Sequence, residues 1–228
     1  MAHTESHKIP RLHFHPSAIL LATQLLLLGL YAVFDGLHNE RAILSAFSIL
    51  ILMLVLWVVQ RSPATNWVAW ILALPVFVLN LLSLKTIDPT LIAWSAFLEG
   101  LLYFYGAGAL IAYMLGDTNV TTDELYAAGA TFTLLAWGFA YLYFACQTWS
   151  PGSIVSTVVG GRPLTFIELL FLSFTNLSAT GLGDIVPVTT ASRVIAMLEQ
   201  FSGVGYIAIV VSRLIGMTLQ RKSRRSAS

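Results

Sequence analysis

A series of long apolar runs limits this chain more than any other feature. They cover roughly residues 17–34, 42–59, 67–84, 90–115, 124–146 and 190–219. A helix needs about 20 mostly apolar residues to cross the hydrocarbon layer of a bilayer, and these runs approach or exceed that length. The links between the early runs are short and polar: "DGLHNER", "QRSPATN", "KTIDP" and "GDTNVTTD". Such links make neighbouring spans antiparallel. Only 10% of the residues are charged, against about a quarter in a soluble domain. The sequence therefore predicts an all-α membrane protein with six transmembrane helices. No soluble domain fits between the runs. The polar leader "MAHTESHKIPRLHFHP" is followed by no small-residue cleavage site, so no cleavable signal peptide is expected.

Cations set the expected orientation. Six spans place Lys8, Arg11, Arg61, Arg221, Lys222, Arg224 and Arg225 on one side, and Arg41, Lys85, Arg162 and Arg193 on the other. The excess favours cytoplasmic N and C termini, although loop 116–123 on that side carries acids only. The tail "RKSRRSAS" is expected to lie against anionic lipid. No nucleic-acid partner and no cofactor are implied. Cys146 is the single cysteine, which excludes an intrachain disulfide and a CxxC metal site; in its apolar run it reads as a packing residue. His7, His13 and His15 read as a metal site or, more simply, as an interfacial, pH-sensitive leader.

The pattern changes between the last two runs. "TFIE" at 165–168 is a capping box, in which a hydroxyl and a carboxylate each satisfy a free backbone N–H at a helix start. An apolar helix should follow over 166–178. Thirteen residues span roughly 20 Å, too short for about 30 Å of hydrocarbon. A short helix followed by glycines reads as a re-entrant loop. Non-helical backbone at membrane depth survives only when buried in protein or lining a water-filled path. The helix carboxyl end carries partial negative charge and favours a cation. Gly181 and Gly183 can adopt backbone angles closed to other residues, which lets successive carbonyls point one way and replace a cation's water. One such strip cannot surround an ion; several chains about an axis can.

The run "FTNLSATGLGDIVPVT" resembles the pore signature of the tetrameric potassium channel superfamily, whose common form is TxxTxGYGD. "SRVIAMLEQFSGVGYIAIVVSRLIG" is similar to that family's inner pore helix, and "SPGS" after the fifth span is similar to bacterial six-span ion-channel proteins. The resemblance covers roughly the last hundred residues. It implies a homotetrameric, passive potassium channel in a prokaryotic inner membrane, with potassium ions as the permeant species. The filter positions are Ala179, Thr180, Gly181, Leu182 and Gly183, with potassium held by the carbonyls of the first four. Asp184 lies at the outer mouth, and Thr175, Asn176, Ser178 and Glu199 support the filter. Ala179 replaces the family's threonine and removes a hydroxyl from the innermost ion site. Leu182 replaces its tyrosine, as in the second pore loops of some two-pore-domain potassium channels. Phe171 and Leu172 stand where the family carries an aromatic pair. These changes leave open a weakly selective sodium and potassium channel, and the sequence as a whole leaves open a non-conducting membrane assembly subunit.

Several residues carry two readings. Asp184 serves cation attraction and filter bracing, or simply caps the turn. Gly203 and Gly205 read as a gating hinge or as close-packing positions. Glu199, a costly buried acid, is expected to brace the short helix through Thr175 or Asn176. Arg213 is expected to snorkel toward phosphates. Glu99 reads as a packing contact or a relay, and Asn80 and Pro75 as packing and kink features. The fourth span holds no arginine series, so little voltage dependence is expected. The spans offer only Glu99 and Glu199 as acids and no GxSxG, which argues against an enzyme. The expected organisation is a leader (1–16), a four-helix membrane domain (17–116), a pore domain (117–219) and a basic tail (220–228).

Overall fold

The structure is a computed structural model describing residues 16–34, 53–54, 57, 66–83, 88–116, 121–158, 160–213 and 215–216. The leader with its histidines, nearly all of the expected second span at 42–59, and the basic tail lie outside the described residues.

The described apolar runs form helices close to where the sequence places them. They are α1 (Pro16–Phe34), α2 (Asn66–Ser83), α3 (Pro89–Leu115), α4 (Thr122–Trp149), the short α5 (Phe166–Leu177) and α6 (Thr190–Tyr206), which runs on into a π-helical turn, Ile207–Val211. Their starts follow from local chemistry. Asp88 accepts the Thr90 N–H at 2.8 Å, with Pro89 fixing the first turn of α3. Thr121 and Thr189 cap α4 and α6 through their hydroxyls. Among the described residues, three helices are long and apolar enough to cross a membrane: Pro89–Leu115, Thr122–Trp149 and Thr190–Val211. Pro16–Tyr31, Trp67–Leu82 and Phe166–Leu177 are shorter apolar helical stretches.

One element corrects the all-α expectation. β1 (Ile154–Ser156) pairs antiparallel with β2 (Ile185–Pro187), in the register Ile154 to Pro187, Val155 to Val186 and Ser156 to Ile185. Three-residue strands carry too little alternation to show in a sequence, and here tertiary contacts at both ends hold them in place.

α4 is the centre of the packing. Glycine lets α3 approach it closely: a β-carbon on Gly100 would lie 3.0 Å from the Gly138 carbonyl oxygen, and Phe104 covers Gly138. Small residues at such crossings are the usual means of helix association in membranes. α1 is tied to α4 by polar contacts. The Ser17 hydroxyl donates to Asp123 at 2.9 Å, and the Thr133 hydroxyl to the Gln24 side-chain oxygen at 2.6 Å. α2 is tied to α3 where the Asn80 amide donates to Glu99 and the Ser95 hydroxyl donates to Asn80 at 2.8 Å. Glu99 and Asn80 thus form a hydrogen-bonded packing contact. Pro75 lies inside α2.

Candidate functional site

The start of α5 is fixed on its exposed side and its buried side at once. The capping box forms: Thr165 N–H donates to Glu168 at 2.7 Å, and Glu168 N–H donates back to the Thr165 hydroxyl at 3.4 Å. Arg162 grips the same carboxylate with both guanidinium nitrogens, at 2.8 and 2.7 Å. These hydrogen bonds from Arg162 hold the Glu168 carboxyl below its ordinary value. On the buried side, Gln147 of α4 donates to the Leu164 carbonyl at 3.0 Å and accepts its N–H at 2.8 Å. Phe166 inserts among aromatic rings, 4.6 Å between centroids from Tyr141, 5.8 Å from Trp137 and 5.9 Å from Tyr31. Neither Gln147 nor Phe166 carries a motif, so only packing reveals them.

At the other end of α5 the chain turns back on the helix. The N–H groups of Ser178, Ala179, Thr180 and Gly181 donate to the carbonyls of Phe174, Asn176, Thr175 and Thr175, at 3.1, 3.0, 2.8 and 3.1 Å. Helix ends leave carbonyls without intrahelical partners, and the following segment supplies the donors. Every second residue then has positive φ: 57° at Ala179, 55° at Gly181 and 78° at Gly183. Glycine adopts such angles freely. Ala179 is the single non-glycine at positive φ among the described residues, a conformation that costs a residue with a β-carbon about 1–2 kcal/mol. Among the described residues no hydrogen bond reaches the carbonyls of 179–183. The stretch 178–183 is exposed, with Leu182 at 61%. It therefore presents unpaired backbone acceptors with its N–H side partly consumed.

Behind α5 lies a buried polar cluster from three helices. Glu199 of α6 is fully buried. It accepts the Tyr143 hydroxyl of α4 at 2.6 Å, the Ser173 hydroxyl of α5, and the Asn176 amide at 3.3 Å. Asn176 also donates to the Tyr143 hydroxyl at 3.1 Å. A buried acid is costly unless hydrogen-bonded, and three donors meet that need. Of the two partners expected for Glu199, Asn176 is present. Thr175 is not: its hydroxyl turns back to the Leu172 carbonyl at 2.9 Å. Ser173 and Tyr143 take that place, because they share the face of α5 and α4 that looks toward α6. Leu172 is buried in the core and Phe171 is exposed at 38%.

The remaining site residues fall into separate positions. Asp184 accepts the Ile185 N–H at 3.1 Å through its own side chain, the turn-capping role. Ser178 and Thr180 bring their hydroxyls together at 2.8 Å. Gly203 is buried where α6 crosses the end of α5; a β-carbon there would run into the Leu177 carbonyl, 2.8 Å from its carbon. That is the close-packing role. Gly205 has open space around it, and the π-helical turn begins two residues later. Arg213 does not conform to the snorkelling expectation alone: its guanidinium donates to the Leu115 carbonyl at the end of α3, at 2.9 Å, because a helix carboxyl end is an anionic partner within reach. Cys146 is buried, with its sulfur 3.7 Å from the Ser153 hydroxyl.

No curated protein and no solved structure matches the chain. A family model described as an ion channel matches residues 100–220, just over half of the 228 residues. The matched stretch runs from the middle of α3 through α4, α5, the 178–184 segment and α6, so it contains the candidate filter and the buried cluster around Glu199. With its membrane-length helices, this integral membrane protein belongs to the ion channel family.

Proposed function

We propose that the chain conducts potassium passively, through a pore assembled from four copies. The observation that carries this reading is the 179–183 segment, with alternating positive φ, the N–H groups of its first three residues turned onto α5 and carbonyls left unpaired. A dehydrated cation needs such acceptors in place of its water. The carbonyls of Ala179, Thr180, Gly181 and Leu182 are the proposed potassium ligands. One chain cannot enclose an ion, and α6 supports assembly from several. Its surface away from α5 exposes Val194, Leu198 and Phe201, the last at 79%. Such a face suits the cavity and the neighbouring copies of a tetramer.

In this reading the chain has six spans, with 17–116 as a peripheral four-helix domain and 117–219 as the pore domain. α5 is the pore helix of a re-entrant loop, and both termini are cytoplasmic with the basic tail against anionic lipid. Gating bends α6 near Gly205 and the π-helical turn, since Gly203 is locked against Leu177. The absence of an arginine series in the fourth span supports weak voltage dependence. A second reading, a channel of low potassium-over-sodium selectivity, draws on Ala179, which lacks a hydroxyl, and Leu182, which lacks a phenol.

Flux through the purified protein in liposomes tests the proposal, with potassium and then sodium as the permeant cation. Potassium flux that exceeds sodium flux and disappears in Gly181→Ala is the expected result. Comparable flux of both ions would select the weakly selective reading. Flux that survives Gly181→Ala unchanged would sink the assignment of the filter.

A further inference from the structure

The 179–183 segment is well tied at its first residues and poorly tied at its last. Gly181 N–H reaches Thr175. Among the described residues, Leu182 and Gly183 then make no hydrogen bond at all. The next attachment is the Asp184 carbonyl, which accepts two donors from one residue: the Thr157 N–H at 2.8 Å and the Thr157 hydroxyl at 3.1 Å. Thr157 directly follows β1, and Asp184 directly precedes β2, so this pair continues the β1–β2 ladder by one register step. The other end of the ladder is anchored in the protein. The Ser153 carbonyl accepts the Val188 N–H at 2.8 Å and the Ser192 hydroxyl at 2.8 Å, and Ser153 is fully buried. Ser150 caps α4 three residues earlier, and Thr189 and Ser192 open α6. The 150–157 strap therefore runs from the end of α4, past the start of α6, to the far end of the candidate filter.

We infer that Thr157 is a positioning residue for ion selection, holding the Asp184 carbonyl and through it the orientation of the Gly183 and Leu182 carbonyls. The inference rests on the potassium-channel reading above. Its physical basis is that two donors on the Asp184 carbonyl fix the point where the backbone leaves the segment, while the residue just before Asp184, Gly183 at φ 78°, has the most rotational freedom of any residue type. Without the donors, the three peptide units between Gly181 and Asp184 lose their nearest downstream anchor to another segment, and the next lies in the β1–β2 pairing that begins at Ile185. Carbonyls free to rotate adapt to a smaller cation as readily as to a larger one. Leu182 offers no hydroxyl to supply a tether from behind, so the ladder does that work from the outer side.

The test uses the full chain in liposomes and reads the ratio of potassium to sodium flux. Thr157 is exposed, so substitutions there leave the core intact. Thr157→Val removes the hydroxyl and keeps the N–H; one hydrogen bond is worth a few-fold in an equilibrium, so the ratio should fall about threefold. Thr157→Pro removes both donors and should lower it about tenfold. Thr157→Ser restores a hydroxyl and should stay within about twofold of the parent. An unchanged ratio in both Val and Pro variants would overturn the inference. So would a matched loss of both fluxes that follows the amount of folded protein. A second readout does not need conduction: the rise in melting temperature when potassium replaces sodium. That rise should shrink in Thr157→Val and return in Thr157→Ser. If the parent shows the rise but no flux, the conduction reading fails while the brace is still judged by the variants. A parent with neither overturns both.

Discussion

The 178–184 segment has two sides, and they are held by opposite means. Behind it, Glu199, Tyr143, Ser173 and Asn176 form a cluster with Glu199, Tyr143 and Ser173 wholly buried. On the far side, Thr157 is exposed, the β1–β2 ladder is partly so, and the Arg162–Glu168 pair at the start of α5 is open to water, Arg162 more than Glu168. Low dielectric strengthens every bond of the buried cluster and makes every missing partner costly. At the exposed side water replaces a lost partner, so the same number of hydrogen bonds contributes less to stability. The buried side should decide whether the fold exists, and the exposed side how finely the segment is positioned.

The largest break in that comparison is Glu199→Ala. It strips the acceptor from the buried Tyr143 hydroxyl, which costs about 1–3 kcal/mol, and leaves a cavity in the packed interior, which costs about 2–5 kcal/mol, while Ser173 keeps the Ala136 carbonyl and Asn176 keeps the Tyr143 oxygen. We expect a loss of at least about 3 kcal/mol in unfolding measured in detergent, with Glu199→Gln near about 1 kcal/mol because it keeps one acceptor oxygen. A Glu199→Ala protein as stable as the parent would mean that the cluster does not carry the fold. Next comes Gly203→Ala. The added carbon meets backbone at Leu177, which cannot rotate away, so α6 must shift at a cost of about 1–3 kcal/mol. Equal melting temperatures for parent and variant would show that α6 crosses α5 with room to spare.

The smallest effect belongs to the exposed side and depends on pH. Arg162 lowers the Glu168 carboxyl from its ordinary 4.5, so the folded state ionises at lower pH than the unfolded chain. Its contribution to stability is fully present above 4.5 and is lost as pH falls through the lowered value. Because the pair is exposed, the contribution stays under about 1 kcal/mol. Acid titration of stability in the parent and in Arg162→Ala should diverge above this range and converge below it. Curves that stay parallel throughout would remove the pair from the account.

Much of this was legible in the linear pattern. Apolar runs announced the described helices to within a few residues at most ends, because burial in lipid demands both length and low polarity. Thr165 and Glu168 announced the start of α5, because a capping box acts over four residues. The glycines at 181 and 183 announced the turn, because positive φ is a local property. Glu199 stood out as an acid inside an apolar run, but its true partners did not: Ser173 and Tyr143 meet it only after three helices pack. Arg213 likewise found the Leu115 carbonyl, 98 residues away.

What the sequence determined by itself, then, is whatever depends on short-range periodicity and single-residue conformational limits: membrane helices, the capped short helix and the flexible turn after it. The tertiary structure alone decided which groups meet across long separations. It set Thr157 against Asp184, 27 residues on, and Gly203 against Leu177. It also placed Ala179 in the same backbone region as the two glycines, which its side chain would not suggest. The physical reason is one of range. Local torsional preferences are written residue by residue. A hydrogen bond between distant segments has no local signature until packing brings its donor and acceptor together.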